Sequence, residues 1–213
     1  MDAMNMLKSL VPPILVPAVK KLTAPWRPRS EGRLFDGDEA SFIKYVSKAK
    51  VYAEYGVGQS TDWVHLNTSA TILAVDSSQE WIQKVIANKT GPRIDAQWVD
   101  LGALGDWGQP LTYQQRDNFV QYVESPWVRS ATPDVVLIDG RFRVCCFFTS
   151  LLRAKPDTIF VFDDYIDRPH YHIVEELLAP FEWCGRQAIF SVPPNVDRAR
   201  ARALVDRFLY VMD

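Results

Sequence analysis

Residues 53–61 have the sequence AEYGVGQST, in which a predicted strand ending at Tyr55 leads into the turn Gly56-Val57-Gly58. Because glycine carries no Cβ, a Gly-x-Gly turn after a strand lets the backbone approach a ligand closely. Asp76 ends the next predicted strand, where a carboxylate can accept hydrogen bonds from both hydroxyls of a ribose. This stretch therefore predicts a parallel α/β sheet with a nucleoside-cofactor turn at one edge.

Two residues in this stretch narrow the class of cofactor. A dinucleotide site needs a third glycine, so that a helix N-terminus can approach the pyrophosphate. Here Thr61 stands at that position, and Glu54 would repel a phosphate at close range. The stretch therefore favours a cationic, phosphate-free cofactor and disfavours a nicotinamide-dependent oxidoreductase.

Strand and helix patterns alternate from Asp36 onward, which predicts a doubly wound, mainly parallel sheet with helices on both faces in three α/β/α layers. The expected strands are 51–55, 71–75, 94–99, 134–138 and 158–162, with an antiparallel edge strand at 186–192. The expected helices are 36–49, 61–67, 79–88, 143–154, 170–178 and 196–209. The glycine-rich connection 101–130 is long enough to predict a lid or binding loop.

The composition sets limits on the partners and the compartment. The chain has 213 residues, a net charge of -2 and 47% hydrophobic residues, which is typical of one α/β domain, expected at 36–213. This charge gives no reason to expect nucleic acid or an anionic membrane as the main partner. Cys145, Cys146 and Cys184 form neither a disulfide framework nor a zinc pattern, which indicates a reducing, cytoplasmic location.

The N-terminal segment 1–35 differs from the rest in charge and pattern. Its apolar stretch is interrupted by Pro12, Pro13 and Pro17, whereas a membrane-spanning helix needs about 20 apolar residues in a row. We expect a partly ordered arm that packs on the domain or on a second subunit of a homodimer. An organelle transit peptide is the alternative.

Carboxylates follow two further predicted strands. Asp139-Gly140 comes after 135–138, and Asp163-Asp164-Tyr165 comes after 158–162. The reaction crevice of an open α/β sheet lies outside the carboxyl ends of its strands, so these side chains are expected to converge. Three carboxylates would repel one another there unless one is protonated or a hard cation such as Mg²⁺ holds them. Alternatively, Asp163 caps the following turn and Asp139 hydrogen-bonds the Gly56 loop.

The turn and the acids that follow it resemble the class I S-adenosylmethionine-dependent methyltransferases, which have a seven-stranded sheet. The resemblance covers about 36–192 and implies that Glu54 lies near the methionine moiety, that Asp76 holds the ribose and that Asp100 lies on the adenine side. The cofactor-binding residues implied are Glu54, Gly56, Gly58, Ser60, Thr61, Asp76, Ser77, Asp100, Leu101 and Asp139.

The acidic motifs are similar to those of divalent-cation-dependent O-methyltransferases of the macrocin type. This resemblance implies Asp139, Asp163 and Asp164 as ligands of Mg²⁺, which would lower the pKa of a substrate hydroxyl. The chain departs from that pattern at Arg141-Phe142-Arg143, where an acidic residue or a histidine is common. The strings 138–144, 105–108 and 163–165 also look like those of a group of methyltransferase-like proteins, which supports the fold without indicating a substrate.

Together these features predict methyl transfer from S-adenosylmethionine to the oxygen of a small molecule, with or without Mg²⁺. Asp139, Asp164 and His170 are the predicted catalytic residues, Asp139 or His170 acting as the base. Arg141 and Arg143 are placed to bind an anionic group of the substrate or to pair with nearby acids. The alternatives are a metal-independent N-methyltransferase and a non-catalytic binding protein that retains the fold.

Overall fold

The structure is a computed structural model that describes residues 33–87, 89 and 93–212. Within them, one seven-stranded sheet has the strand order β3-β2-β1-β4-β5-β7-β6. The strands are β1 (Val51–Tyr55), β2 (Thr71–Asp76), β3 (Ile94–Trp98), β4 (Val135–Ile138), β5 (Ile159–Phe162), β6 (Glu182–Cys184) and β7 (Gln187–Ser191). The first five are parallel to one another, and β7 is antiparallel to both β5 and β6.

Helices connect the strands as the sequence pattern predicts. The α-helices of the described residues are α1 (Ala40–Val46), α2 (Gln59–Asn67), α3 (Gln79–Ile86), α4 (Phe119–Glu124), α5 (Arg143–Arg153) and α6 (Arg198–Phe208). Short 3-10 helices cover Asp106–Gly108, Arg116–Asn118, Ser125–Trp127 and Pro169–Glu176. The α/β class and the doubly wound, mainly parallel sheet are therefore confirmed.

Two local predictions are wrong, and a third segment contains more regular structure than the sequence predicts. The predicted edge strand at 186–192 is an inner strand, because the short β6 pairs with its outer side and forms the edge. The predicted helix at 170–178 is a 3-10 helix that starts at a proline. The connection 101–130 contains α4, whose buried face packs on α5 through Phe119, Tyr122 and Val123.

The core consists of two apolar clusters that contain alternate residues of the strands. Ala53 and Tyr55 of β1 belong to the larger cluster with α5 and α6, whereas Tyr52 belongs to the smaller one with α1 and α3. Side chains alternate between the two faces of a strand, which explains this division. Because both faces are covered, the central strands are almost continuously buried, as the apolar run of β4 shows.

The described residues from Arg33 onward belong to one compact unit. The predicted N-terminal arm 1–35 lies almost wholly outside the described residues, so the arm and the predicted domain 36–213 stay predictions. Among the described residues, no helix has the length and apolar character needed to cross a bilayer.

Candidate active site

The loops after β1 and β4 are interlocked at two glycines. Gly56 has φ +91, and a Cβ placed on it would lie 3.0 Å from the carbonyl oxygen of Asp139 and 3.1 Å from the Cα of Gly140. The amide of Asp139 donates a hydrogen bond of 3.1 Å to the carbonyl of Tyr55. The cofactor-type turn and the Asp139-Gly140 motif are therefore neighbours, as expected for adjacent parallel strands.

We expect Gly140→Ala to lower the free energy of unfolding by about 2 kcal/mol, as overpacking of a close contact does. An added Cβ would lie 2.8 Å from both Gly56 N and Tyr55 C and would overlap the Tyr122 hydroxyl. Urea denaturation measures this loss. Gly58→Ala is the matched control and should change stability by no more than about 0.5 kcal/mol. Equal stability of the two variants would contradict the interlock.

Glu54 stabilises the turn after β1 through hydrogen bonds of its side chain. Its side chain is fully buried, and its carboxyl accepts hydrogen bonds from Tyr52 Oη (2.8 Å), Ser60 Oγ (2.8 Å) and Thr61 Oγ1. Thr61 Oγ1 also accepts the amide of Gly58 at 2.9 Å. Burial raises the pKa of Glu54 to about 7 despite these donors. The predicted contact with the methionine moiety stays a prediction, since in this structure Glu54 contacts protein hydroxyls.

Asp76 lies at the end of β2 and is partly exposed. Its two oxygens accept the backbone amides of Val57 (2.8 Å) and Ser78 (2.7 Å), so it also fixes the turn after β1. Burial raises the pKa of Asp76 from its ordinary value. Each carboxylate oxygen has a second lone pair, and these are the acceptors that the predicted ribose contact would use.

Gly58 leaves open space beside this turn. Its φ of −175 is extended backbone that any residue adopts, and a Cβ would have Trp81 Nε1, at 3.9 Å, as its nearest neighbour among the described residues. Neither conformation nor packing therefore explains a glycine here. The residues at this turn fit a ligand that approaches the backbone closely, which is the condition for the predicted cofactor.

The remaining predicted cofactor residues lie where the connection 101–130 meets the sheet. Ser77 is buried and donates to the carbonyl of Gly108 at 2.9 Å. Asp100 accepts the amide of Gly102 at 2.9 Å, and Leu101 is fully buried. The contacts of these residues with a cofactor stay predictions. The structure shows that the connection docks on the end of β2, as a binding loop would.

The three predicted metal ligands converge as the sequence indicates. One carboxylate oxygen from each of Asp139, Asp163 and Asp164 lies within 4.8 Å of the others. Asp163 is fully buried and Asp164 has 15% of its side chain exposed, whereas Asp139 has 31% exposed and is the most accessible. Burial and the charge of Asp163 raise the pKa of Asp139 well above its usual range.

Arginines contact all three carboxylates. Arg143 forms ion pairs with Asp139 (3.0 Å) and Asp164 (3.2 Å), and Arg186 pairs with Asp163 and Asp164. Arg143 could be found from the sequence, because it follows the Asp-Gly motif, but no sequence signal marks Arg186. The latter precedes β7, and only the antiparallel pairing of β7 with β5 brings it to this edge.

His170 is the third predicted catalytic residue. It is exposed at the start of the 3-10 helix, and its ring centroid is 4.3 Å from that of Tyr171. Tyr171 Oη in turn accepts a hydrogen bond of 3.2 Å from Arg168, which pairs with Asp164. A catalytic role for His170 stays a prediction, and Asp139 is the predicted base that lies at the turn itself.

The strand order, together with the glycine turn after β1 and the acids after β2 and β4, defines the class I methyltransferase fold. A scan against known protein-family models and a sequence search of curated proteins give no match. A solved methyltransferase-like protein from Silicibacter pomeroyi is 30% identical, with a TM-score of 0.70 over 80% of this chain and 92% of that chain. The chain therefore belongs to this family of methyltransferase-like proteins, within the class I S-adenosylmethionine-dependent methyltransferase superfamily.

Two further solved structures are less similar. A putative O-methyltransferase from Klebsiella pneumoniae is 15% identical over 89% of this chain and 94% of that chain, with a TM-score of 0.48. The N-methyltransferase NodS from Bradyrhizobium japonicum, in complex with S-adenosyl-L-homocysteine, is 12% identical over 72% of this chain and 85% of that chain. Its TM-score is also 0.48. At this level of similarity neither structure bears on the acceptor, and the macrocin-type resemblance stays a prediction.

Proposed function

We propose that this protein binds S-adenosylmethionine at the turn after β1 and transfers its methyl group to an oxygen atom of a small molecule. The observation that carries the proposal is the juxtaposition of two features at interlocked loops. One is the open space at Gly58, and the other is the partly exposed carboxylate of Asp139. The first fits the close approach of a ligand, and the second supplies a proton acceptor beside it.

The residues around the turn suit a cationic nucleoside. The lone pairs left on Asp76 would accept the ribose hydroxyls. Glu54, Asp76 and Asp139 make this edge negative in their ionised forms, and negative charge there favours a sulfonium and disfavours a phosphate. The hydrogen bonds from Ser60 and Thr61 to Glu54 hold the turn in place before any ligand arrives, so little ordering is needed on binding.

Asp139 is the group best placed to take the acceptor proton. S-adenosylmethionine would supply an electrophilic methyl group, whose bond to the sulfonium sulfur breaks as the bond to the acceptor oxygen forms. The hydroxyl proton passes to Asp139, whose raised pKa brings it closer to neutral pH and makes it a stronger base than an ordinary aspartate. Arg143, 3.0 Å from Asp139 Oδ1, fixes the orientation of this carboxylate.

Metal-independent N-methylation is a second candidate. The arginine contacts with Asp139, Asp163 and Asp164 favour a reaction without Mg²⁺, and an ammonium acceptor needs only a base that removes a proton before the nitrogen attacks. The same carboxylate of Asp139 would serve. Assays with paired hydroxyl and amine acceptors of the same carbon skeleton distinguish the two candidates.

Binding is tested by thermal denaturation with S-adenosyl-L-homocysteine. At about 100 times Kd the ligand should stabilise the fold by about 2.7 kcal/mol, which raises Tm by about 5 °C or more. Gly58→Ala should keep the Tm of the unliganded protein and lose most of this increase, because its Cβ occupies the open space. Absence of any increase in the wild-type protein would refute the proposal.

Turnover is tested separately by following S-adenosyl-L-homocysteine production with a panel of phenols, catechols, sugars and amines. We expect production with at least one hydroxyl acceptor. A protein that binds the ligand but shows no turnover with any acceptor would support the non-catalytic binding protein. Production with amines alone would select the N-methyltransferase.

A further inference from the structure

We propose that the Arg143 guanidinium is the resident cation of the acidic cluster and that the protein binds no divalent metal ion there. The inference concerns the carboxylates of Asp139, Asp163 and Asp164, which the sequence predicts as Mg²⁺ ligands. It holds whether or not methyl transfer takes place at this edge of the sheet, because it rests on the ion pairs alone.

Arg143 joins the loops after β4 and β5. Only 4% of its side chain is exposed, and its guanidinium pairs with Asp139 Oδ1 at 3.0 Å and with Asp164 Oδ2 at 3.2 Å. The same group donates to the main-chain carbonyls of Gly140 (3.0 Å) and Asp163 (2.8 Å). A planar guanidinium can satisfy several acceptors at once in this way, whereas a metal ion would compete for the same carboxylate oxygens.

The other two carboxylates are engaged on both oxygens. Asp163 Oδ1 accepts from Arg186 Nε (3.2 Å) and Gln187 Nε2 (3.0 Å), while Oδ2 pairs with the Arg186 Nη2. Asp164 Oδ1 pairs with Arg186 (3.0 Å), and Oδ2 pairs with Arg168 (2.7 Å) in addition to Arg143. A metal ion could reach these oxygens only by displacing donors that already satisfy them.

Guanidinium groups already supply positive charge to this cluster without a metal. Asp139, Asp163 and Asp164 face those of Arg143, Arg168 and Arg186, and Arg186 also pairs with the more exposed Asp36 at 3.1 Å. Burial opposes the charge of Arg143, but the carboxylates, Asp139 foremost, raise its pKa, so it stays protonated. A divalent ion would add two positive charges to a cluster that already holds three guanidinium groups, and it would leave the buried Arg143 without its partners, which is costly. The residues present therefore do not fit Mg²⁺.

Two left-handed residues position these groups. Phe142 has φ 55 immediately before Arg143, and Asp164 has φ 59. Non-glycine residues adopt this conformation only when their surroundings over-determine it. The rings of Phe119 and Tyr122 pack on Phe142, and three arginines hold Asp164. The fold therefore sustains local strain that directs Arg143 towards the aspartates.

The test is direct metal binding, measured by Mn²⁺ electron paramagnetic resonance on protein treated with a chelator. The wild-type protein should show no saturable site at millimolar Mn²⁺, and its Tm should be the same with Mg²⁺ and with chelator. Arg143→Ala leaves Asp139 and Asp164 short of a cation and should strengthen Mn²⁺ binding by about tenfold or more. Arg141→Ala is the matched control, since no ion pair joins its guanidinium to another described residue, and it should bind Mn²⁺ as the wild type does.

A saturable Mn²⁺ site in the wild-type protein that is lost in Asp163→Asn would overturn the inference. The Mn²⁺ site is measured in the wild-type protein, so this result does not depend on whether Arg143→Ala folds. It also leaves the proposed function standing, because S-adenosyl-L-homocysteine binding is measured independently on the same preparation.

Discussion

The stability of this protein is expected to fall by about 3 kcal/mol between pH 4.5 and pH 7 through Glu54 alone. Burial raises the pKa of this carboxyl from 4.5 to about 7, and a pKa that differs by one between the folded and unfolded states corresponds to about 1.36 kcal/mol. The folded state holds the Glu54 proton over this window while the unfolded state has released it. The contribution is therefore fully present below pH 4.5 and is lost as the pH rises through 7.

Glu54→Gln isolates this contribution from the other titrating groups. The amide has the same shape, and the hydroxyls of Tyr52, Ser60 and Thr61 can either donate or accept, so the neutral contacts are retained. Relative to the wild type, the variant should gain about 3 kcal/mol of unfolding free energy between pH 4.5 and pH 8. Urea denaturation at a series of pH values gives the difference directly.

Glu80→Gln is the control, because Glu80 is exposed in the first turn of α3. The free energy of unfolding of Glu80→Gln should have the same pH dependence as that of the wild type. If the stability of Glu54→Gln had the same pH dependence as that of the wild type, the buried carboxyl would be ionised in both the folded and the unfolded state. The hydrogen bonds that hold the turn would then be those of a charged carboxylate.

The sequence predicts the framework of this site better than its supporting contacts. Gly56, Asp76 and Asp139 could be placed at one edge because each stands at the carboxyl end of a predicted strand, and parallel strands bring such positions together. The convergence of Asp163 and Asp164 with Asp139 follows from the same rule, since β4 and β5 are adjacent. These predictions need only local periodicity and the handedness of the crossover connections.

What the sequence could not predict depends on contacts between distant segments. Arg186 reaches Asp163 because β7 runs antiparallel beside β5, and the short β6 that forms the outer edge has too few residues to show a pattern. Glu54 has the same sequence context whether it faces a ligand or the protein interior. Only the packing of Ser60 and Thr61 beneath the turn decides that it is buried.

Asp139→Asn is expected to lower the rate of methyl transfer by about 10² to 10⁴, the usual contribution of a general base. Asparagine keeps an oxygen that can accept from Arg143, so the link between the β4 and β5 loops is retained while proton acceptance is lost. The rate is measured as S-adenosyl-L-homocysteine production with the acceptor identified in the panel. The increase in Tm caused by that ligand should be unchanged, because the open space at Gly58 is unaltered.

Asp167→Asn is the matched control, since Asp167 is exposed just beyond the acidic cluster, and it should retain the wild-type rate. The pH profile separates a base from a group that only holds the structure. In the wild type the rate should rise with pH as Asp139 loses its proton, which gives the pH profile an acidic limb. Because burial and the charge of Asp163 raise the pKa of Asp139, this limb should lie closer to neutral pH than that of an ordinary aspartate. In Asp139→Asn that limb should disappear. If the variant kept the limb with a uniformly lower rate, another group such as His170 would be the base, and Asp139 would act by orienting the acceptor.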